Sequence, residues 1–441
     1  MAANPEWVNA KCDRYDYFIA GFSGVAAGLI DIFFVGMPGA SSLGSITDAQ
    51  ADGLVKQFAK LKGWSPREGN EDSVASAIGF LEKEFPVNYD HRHTVDVGGA
   101  FKMGTKNHHY KSLAHSPDII GLFFSILDQF QGKASFLSDG QLIRIDSEGP
   151  NLRLHGGSFP AKIFCGFCNW IGHIMSDLAG SSGGRGSVLT GRGSGVPVPF
   201  MPLFQLCDFG EFQVGQHRQT LAKVMTQVFQ NGYDARFGAA MAIPVLVNEL
   251  IIRTLWVIKQ RFYHKRPWSE CFPSEKHADL RMMLLVGHGA LCLMDGADAA
   301  IRSGGNAVVF FLRLNLVAWA RFMILVFKEL RIRYGEQVLA ALKAFLGTLD
   351  DVLTPGERKL LLEYRQRMNE LDLELSKLLE MYMKQVYEDY LLFHAALESS
   401  FDQKLSSDMR GENSIALAER CKVDDKKIIK SDQDLDDFFT S

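Results

Sequence analysis

Four stretches of this 441-residue chain approach the roughly twenty apolar residues a helix needs to cross a bilayer, and each carries groups that hydrocarbon rejects. They run from Tyr17 to Met37, Phe237 to Ile258, Met282 to Ile301 and Ala307 to Phe327, with a shorter one from Ile163 to Leu178. Asp31 interrupts the first; Asn248, Glu249 and Arg253 the second; His288, Asp295 and Asp298 the third; Arg313, Asn315 and Arg321 the fourth. A charge at bilayer depth costs at least about 2.5–3.5 kcal/mol, so these side chains must pair or face a polar cavity. The expected fold is mainly α, a bundle of several apolar helices, in one of two settings. Either the helices are transmembrane and their polar residues meet inside the bundle, or the protein is soluble and they are deeply buried. A mean hydropathy of −0.02 leaves the second setting open. The flanks favour the membrane. K-Q-R-F-Y-H-K-R-P follows Ile258 and K-E-L-R-I-R follows Phe327, and basic residues just past an apolar helix mark its cytoplasmic end. The turn R-S-G-G-N joins the third and fourth stretches into a hairpin with both outer ends in the cytoplasm.

A net charge of −4 and the lack of a basic stripe argue against a nucleic-acid partner. Seven cysteines without a regular framework fit a reducing compartment, and Cys165 and Cys168 of C-G-F-C read as small buried hydrophobes. The polar N-terminus gives no cleavable secretion signal and no myristoylation pattern. Three regions follow from the patterning: residues 1–205, a helical region with the candidate chemistry; 206–350, apolar and helical; and 351–441, an amphipathic helix with a polar tail. Within the first, residues 46–90 read as helical from a Thr/Asp cap. Alternation from F-L-S-D-G-Q-L-I-R-I-D to L-R-L-H suggests a small β-hairpin turning at S-E-G-P-N. From Leu360 to Leu392 apolar residues recur at helical spacing, which predicts a cytoplasmic helix serving self-association or docking.

Five of the twelve histidines fall between His91 and His115. Imidazole and carboxylate are the side chains that bind divalent zinc, manganese or iron. His173 and Asp177 stand four apart in a helical segment, so one face presents both to a single ion, or they merely bond each other. His109 and His115 bracket Y-K-S-L-A ahead of S-P-D and an apolar run, which places His115 at the mouth of a helix capped by Ser116. Of His91, His93 and His108, at least two are expected in exposed loops. The loop from Gly180 to Gly195 suits an anion, with Arg185 and Arg192 adding charge, or is a flexible linker. Asp31 needs a metal, a histidine or an arginine as partner.

In order, the chain thus shows an apolar helix ending in a carboxylate, an H-x(5)-H-S element opening a helix, and a helical G-H-x-x-x-D. A small-residue loop and V-P-V-P-F-M-P complete the series. This resembles the predicted membrane-bound metal-dependent hydrolases of bacteria, with their H-R-G-x-T-H-S and S-H-x-x-x-D patterns, over roughly residues 17–205. The resemblance makes Asp31, His109, His115, His173 and Asp177 the counterparts of that family's site. Here the first pattern is one residue longer, Y-K stands for R-G, Asp31 stands alone where the family has paired aspartates, and Gly172 replaces the serine.

These readings together predict a membrane-associated hydrolase using a divalent metal ion, zinc or manganese, in a bacterial inner membrane with the C-terminal region cytoplasmic. Its ligands would be His115, His173 and Asp177, completed by Asp31 or His109. His108 and His109 are the catalytic candidates, Arg185 and Arg192 the anion-binding ones, and a phosphoester or lipid the substrate. The alternatives are a non-enzymatic polytopic protein whose polar groups serve packing or an ion path, with the C-terminal helix building a homo-oligomer, and a soluble helical scaffold.

Overall fold

The computed structural model describes residues 10–66, 73–90, 95–97, 101–104, 106–147, 159–180, 195–335 and 391–420, with isolated positions elsewhere after 365. Helix α1 (Arg14–Ile30) runs into a wider turn, Asp31–Val35. There follow α2 (Ser42–Leu61), α3 (Val74–Glu84), α4 (His108–Lys111), α5 (Ile119–Gln131), α6 (Phe159–Asp177) and α7 (Leu221–Gln230). The bundle is completed by α8 (Ala235–Ile258), α9 (Ala278–Ser303), α10 (Ala307–Arg313) and α11 (Leu316–Tyr334), and α12 (Ser407–Arg420) lies near the C-terminus. The protein is mainly α, as its periodicities require.

Among the described residues, three helices are long and apolar enough to cross a membrane: Arg14–Val35, Ala235–Tyr263 and Ala278–Ser303. Their outward faces are apolar, with Phe18, Phe22, Leu250 and Leu293 each about two-thirds exposed or more. Inside the bundle α1 packs most closely on α9. Gly24 and Gly28 make this possible. A Cβ on Gly24 would stand 2.1 Å from the Gly287 carbonyl oxygen, and one on Gly28 2.6 Å from Met294 Cβ. Small residues four apart let membrane helices bring their backbones together.

The fourth apolar stretch is not one straight helix. It breaks at Leu314–Asn315 into α10 and α11, bent by 74°. Buried polar groups make the break affordable. The Tyr233 hydroxyl donates to the Leu314 carbonyl at 2.6 Å and accepts from the Leu316 N–H at 3.0 Å, so backbone groups freed at the break are bonded. Asn315 caps α11 through Ala318 N at 2.9 Å, and its side-chain amide donates to Asp31 Oδ1 at 2.6 Å. Its backbone N–H reaches both oxygens of Asp295 at 3.1 Å, and Trp319 Nε1 adds a bond to the same carboxylate at 2.8 Å. The charged intrusions pair as well. Glu249 bonds Arg253 and Arg321, and Asp298 bonds Arg313.

Ion pairs also fix which helix ends lie together. Lys259, just past α8, meets Asp13 and Asp16 at the start of α1, both at 2.7 Å. Arg281 at the start of α9 meets Glu329 near the end of α11 at 2.8 Å. The basic flanks therefore share one end of the bundle. The chain leaves after Val35 and returns at Ala235 at the other end, and the segment between carries His108, His109, His115 and His173.

In that region α2 begins after Ser41, whose hydroxyl accepts from Gly44 N at 2.8 Å, several residues before the expected Thr/Asp cap. The hairpin exists but turns earlier than expected. Strands β3 (Lys133–Ser138) and β4 (Gln141–Asp146) meet at Asp139–Gly140, where φ is 48° and 79°, the left-handed pair of a two-residue hairpin turn. Two shorter antiparallel pairs, β1 (Val95–Val97) with β2 (Phe101–Met103) and β5 (Phe212–Val214) with β6 (His217–Gln219), join it among the described residues. Behind β3, Leu127 and Phe136 are fully buried with Tyr89 and Met103, each apolar side chain contributing about 1.5–3 kcal/mol. Cys168 is exposed and Cys165 half-buried on α6, so neither is the core residue expected. The helix expected from Leu360 to Leu392 lies largely outside the described residues.

Candidate metal centre

Two anchored elements bring the donors together. α6 presents His173 and Asp177 on one face, as their four-residue spacing dictates. Its flank is tied down by Asn169, which donates to Pro86 O at 3.0 Å and Gln129 Oε1 at 2.8 Å. Trp170 Nε1 donates to Ala114 O at 3.0 Å, fixing α6 against the short turn Leu113–His115. That turn precedes α5, whose cap is Asp118 rather than Ser116. Asp118 Oδ1 accepts from Ile120 N and Gly121 N at 2.9 and 3.0 Å, and Ser116 Oγ bonds the same carboxylate. Only glycine fits at 121, because a Cβ there would lie 1.7 Å from the Ser116 carbonyl oxygen. The close crossing holds His115 in place.

At the centre, Asp177 Oδ2 faces three imidazole nitrogens: His173 Nε2 at 3.2 Å, His109 Nε2 at 3.3 Å and His115 Nε2 at 3.5 Å. His115 Nε2 and His173 Nε2 are 3.1 Å apart. Two donors bound at 2.0–2.1 Å to one ion with tetrahedral angles stand about 3.3–3.4 Å apart. The separations of His115, His173 and Asp177, 3.1–3.5 Å, are compatible with donors that share one ion, and mostly longer than good N–H···O bonds. All four side chains are at most 2 % exposed.

Protonation suits metal binding. Burial, reinforced by His109, His173 and His108, pushes the His115 imidazole well below its usual range, so it is neutral with a lone pair to offer. His109 Nδ1 lies 3.2 Å from Gly195 O; donation there leaves Nε2 bare toward Asp177. Gly195 is itself pinned by Asp234, which accepts from its N–H at 3.2 Å while also bonding Arg236. Tyr89 packs edge-on against His115 and His173, its hydroxyl bonded to Ser125 at 2.9 Å, and burial keeps it a neutral phenol.

A second group adjoins the first. His108 Nε2 is 3.5 Å from Asp90 Oδ1, and one donor atom each from Asp90, His108, His109 and His115 lie within 4.8 Å of one another. Burial pushes the Asp90 carboxyl up, but the His108 bond and the nearby His173 and His115 outweigh it and hold it well below the usual carboxylate range. His108 is buried, not a loop histidine on the surface. Asp90, directly before H-R-H, was visible in the sequence only as a carboxylate beside histidines.

His109, His115, His173 and Asp177 are thus together, with His108 alongside. Asp31 is not with them: it lies in the bundle, bonded to Asn315, and belongs to neither donor group. The physical reason is that Asp31 sits at the helix break, where the Asn315 amide supplies the donor that its burial requires. Arg185, Arg192, His91 and His93 lie outside the described residues. Compared with known proteins, the chain matches no family model, no curated protein and no solved structure.

Proposed function

We propose that the protein is a membrane-associated, metal-dependent hydrolase acting on a phosphoester, with a lipid phosphoester the best-suited substrate. The observation that carries this reading is the convergence of three buried histidine nitrogens on one oxygen of Asp177 at 3.2–3.5 Å. His115, His173 and Asp177 would hold the ion, and His109 faces the same carboxylate oxygen at 3.3 Å. With nitrogen and oxygen donors and no thiolate at the centre, zinc or manganese fits. Such an ion polarises a phosphoryl oxygen and brings the pKa of a water to about 7. The chain's part is to hold the His115 imidazole neutral by burial and to orient the rings, through Gly195 on His109 and the ring of Tyr89 on His115. The resemblance to the bacterial hydrolases supports the same assignment.

By the positive-inside rule the basic end of the bundle and the C-terminal region are cytoplasmic, which puts the histidine centre on the outer face of a bacterial inner membrane. What supports a lipid substrate is the apolar outer surface of the adjoining bundle. One observation favours the second reading, an ion path: the helix break at Asn315, where Asp31 and Asp295 meet inside the bundle.

Elemental analysis of the purified chain separates the two. Bound zinc or manganese is expected, and His173→Ala and Asp177→Ala should each strip it while leaving the helical circular dichroism intact. A wild-type protein without metal, or both variants with full occupancy, refutes the centre.

A further inference from the structure

Six side chains are too many for one catalytic ion. Asp90, His108, His109, His115, His173 and Asp177 form two overlapping donor groups that share His115. The rings of His108 and His109 are 3.8 Å apart between centroids, and those of His109 and His115 4.6 Å. A zinc ion takes four ligands, and a six-coordinate ion bound by all six would have no position left for water or substrate. Split in two, the same residues give a pair of identical sets. His115, His173 and Asp177 form one, and His108, His109 and Asp90 the other. Each has two imidazoles and one carboxylate, a three-ligand set that leaves coordination open. Asp177 Oδ2 faces nitrogens of both sets, His173 and His115 from the first and His109 from the second.

Resting on the metal-centre reading above, the geometry points to a dinuclear site: Asp90, His108 and His109 hold a second divalent cation beside the first, and the pair takes a phosphoester. Charge supports the ligand class. Two divalent ions against two carboxylates leave a net charge of +2 in a buried place, which calls for an anionic group able to span both ions. A phosphoryl group does this; ions in two-metal phosphoesterase sites stand about 3.5–4 Å apart, a separation that phosphate oxygens bridge.

The test uses the full chain purified in detergent, loaded with manganese and dialysed against metal-free buffer. Elemental analysis should find two ions per chain, and electron paramagnetic resonance an exchange-coupled pair. Asp90→Asn and, independently, His108→Gln should each retain one ion, show an uncoupled signal, and bind inorganic phosphate about tenfold more weakly by calorimetry. One ion per chain in the wild type, unchanged in both variants, overturns the dinuclear site while the mononuclear hydrolase stands. No ion in the wild type overturns both. Two ions with phosphate affinity equal in wild type and variants overturns the phosphoester assignment. Circular dichroism on both variants confirms that any loss is local.

Discussion

Asn315→Ala is the substitution whose consequence the bundle defines most sharply. The alanine removes three bonds: the cap to Ala318 N at 2.9 Å, and the amide bonds to Asp31 Oδ1 at 2.6 Å and Met241 O at 3.0 Å. The backbone bonds from Asn315 N to Asp295 are retained. A lost helix cap costs about 1 kcal/mol. A bond to a carboxylate is worth about 1.5–3 kcal/mol in soluble proteins, but bonds between membrane helices average about 0.6 and reach about 1.7. The short distance and complete burial place the Asp31 bond at the upper end, near 1.5 kcal/mol by those figures. With the Met241 bond added, the total loss is about 3 kcal/mol. The assay is reversible unfolding in mixed micelles titrated with dodecyl sulfate, followed by circular dichroism, on Asn315→Ala, Asp31→Ala and the double variant. The two single losses should exceed the double loss by about 1–2 kcal/mol, because one bond is removed in all three. Losses that add to within about 0.5 kcal/mol would mean that Asp31 and Asn315 do not interact, and the account of the helix break would fail.

Two further outcomes follow from the bundle and the C-terminal region. In a background freed of native cysteines, a cysteine at Gly304 should be labelled by an impermeant reagent from outside the cell and one at Arg331 should not; a protein found in the soluble fraction without detergent contradicts the membrane setting. Deleting residues from 355 onward should reduce oligomer size in light scattering and spare bound metal; an unchanged oligomer number would show that this region packs on its own chain.

Spacing made half of the centre legible. His173 and Asp177 share a face because a helix repeats every 3.6 residues, and no tertiary information is needed to see it. The S-P-D segment just ahead of α5 places His115 beside the start of that helix. What the spacing could not give is the closure between the two patches. It depends on Trp170 reaching Ala114 O across 56 positions and on the tight crossing of Gly121 over Ser116. The hairpin shows how one pattern can support two answers. Alternation continues past both D-G and S-E-G-P-N, and the deciding fact is local: Asp and Gly both accept the left-handed conformation that a two-residue turn demands.

Asp31 shows where the same reasoning reaches its limit. Burial in an apolar helix required a partner for that carboxylate, and the requirement holds. The partner is Asn315, 284 positions away, a residue type outside the metal, histidine and arginine considered. Asparagine suffices because the acceptor needs only a donor held in place, and capping α11 holds the amide. The family resemblance drew Asp31 toward the histidines, and the burial argument, right that a partner is required, named a metal, a histidine or an arginine and missed the amide. Asp90 errs in the opposite direction. It had no apolar setting to make it conspicuous, yet it stands in the same patch as His91 and His93 and lies against His108 in the fold. A carboxylate adjoining a histidine cluster belongs among its candidate ligands whatever the hydropathy around it, since an imidazole pair binds a divalent ion better with a negative oxygen beside it.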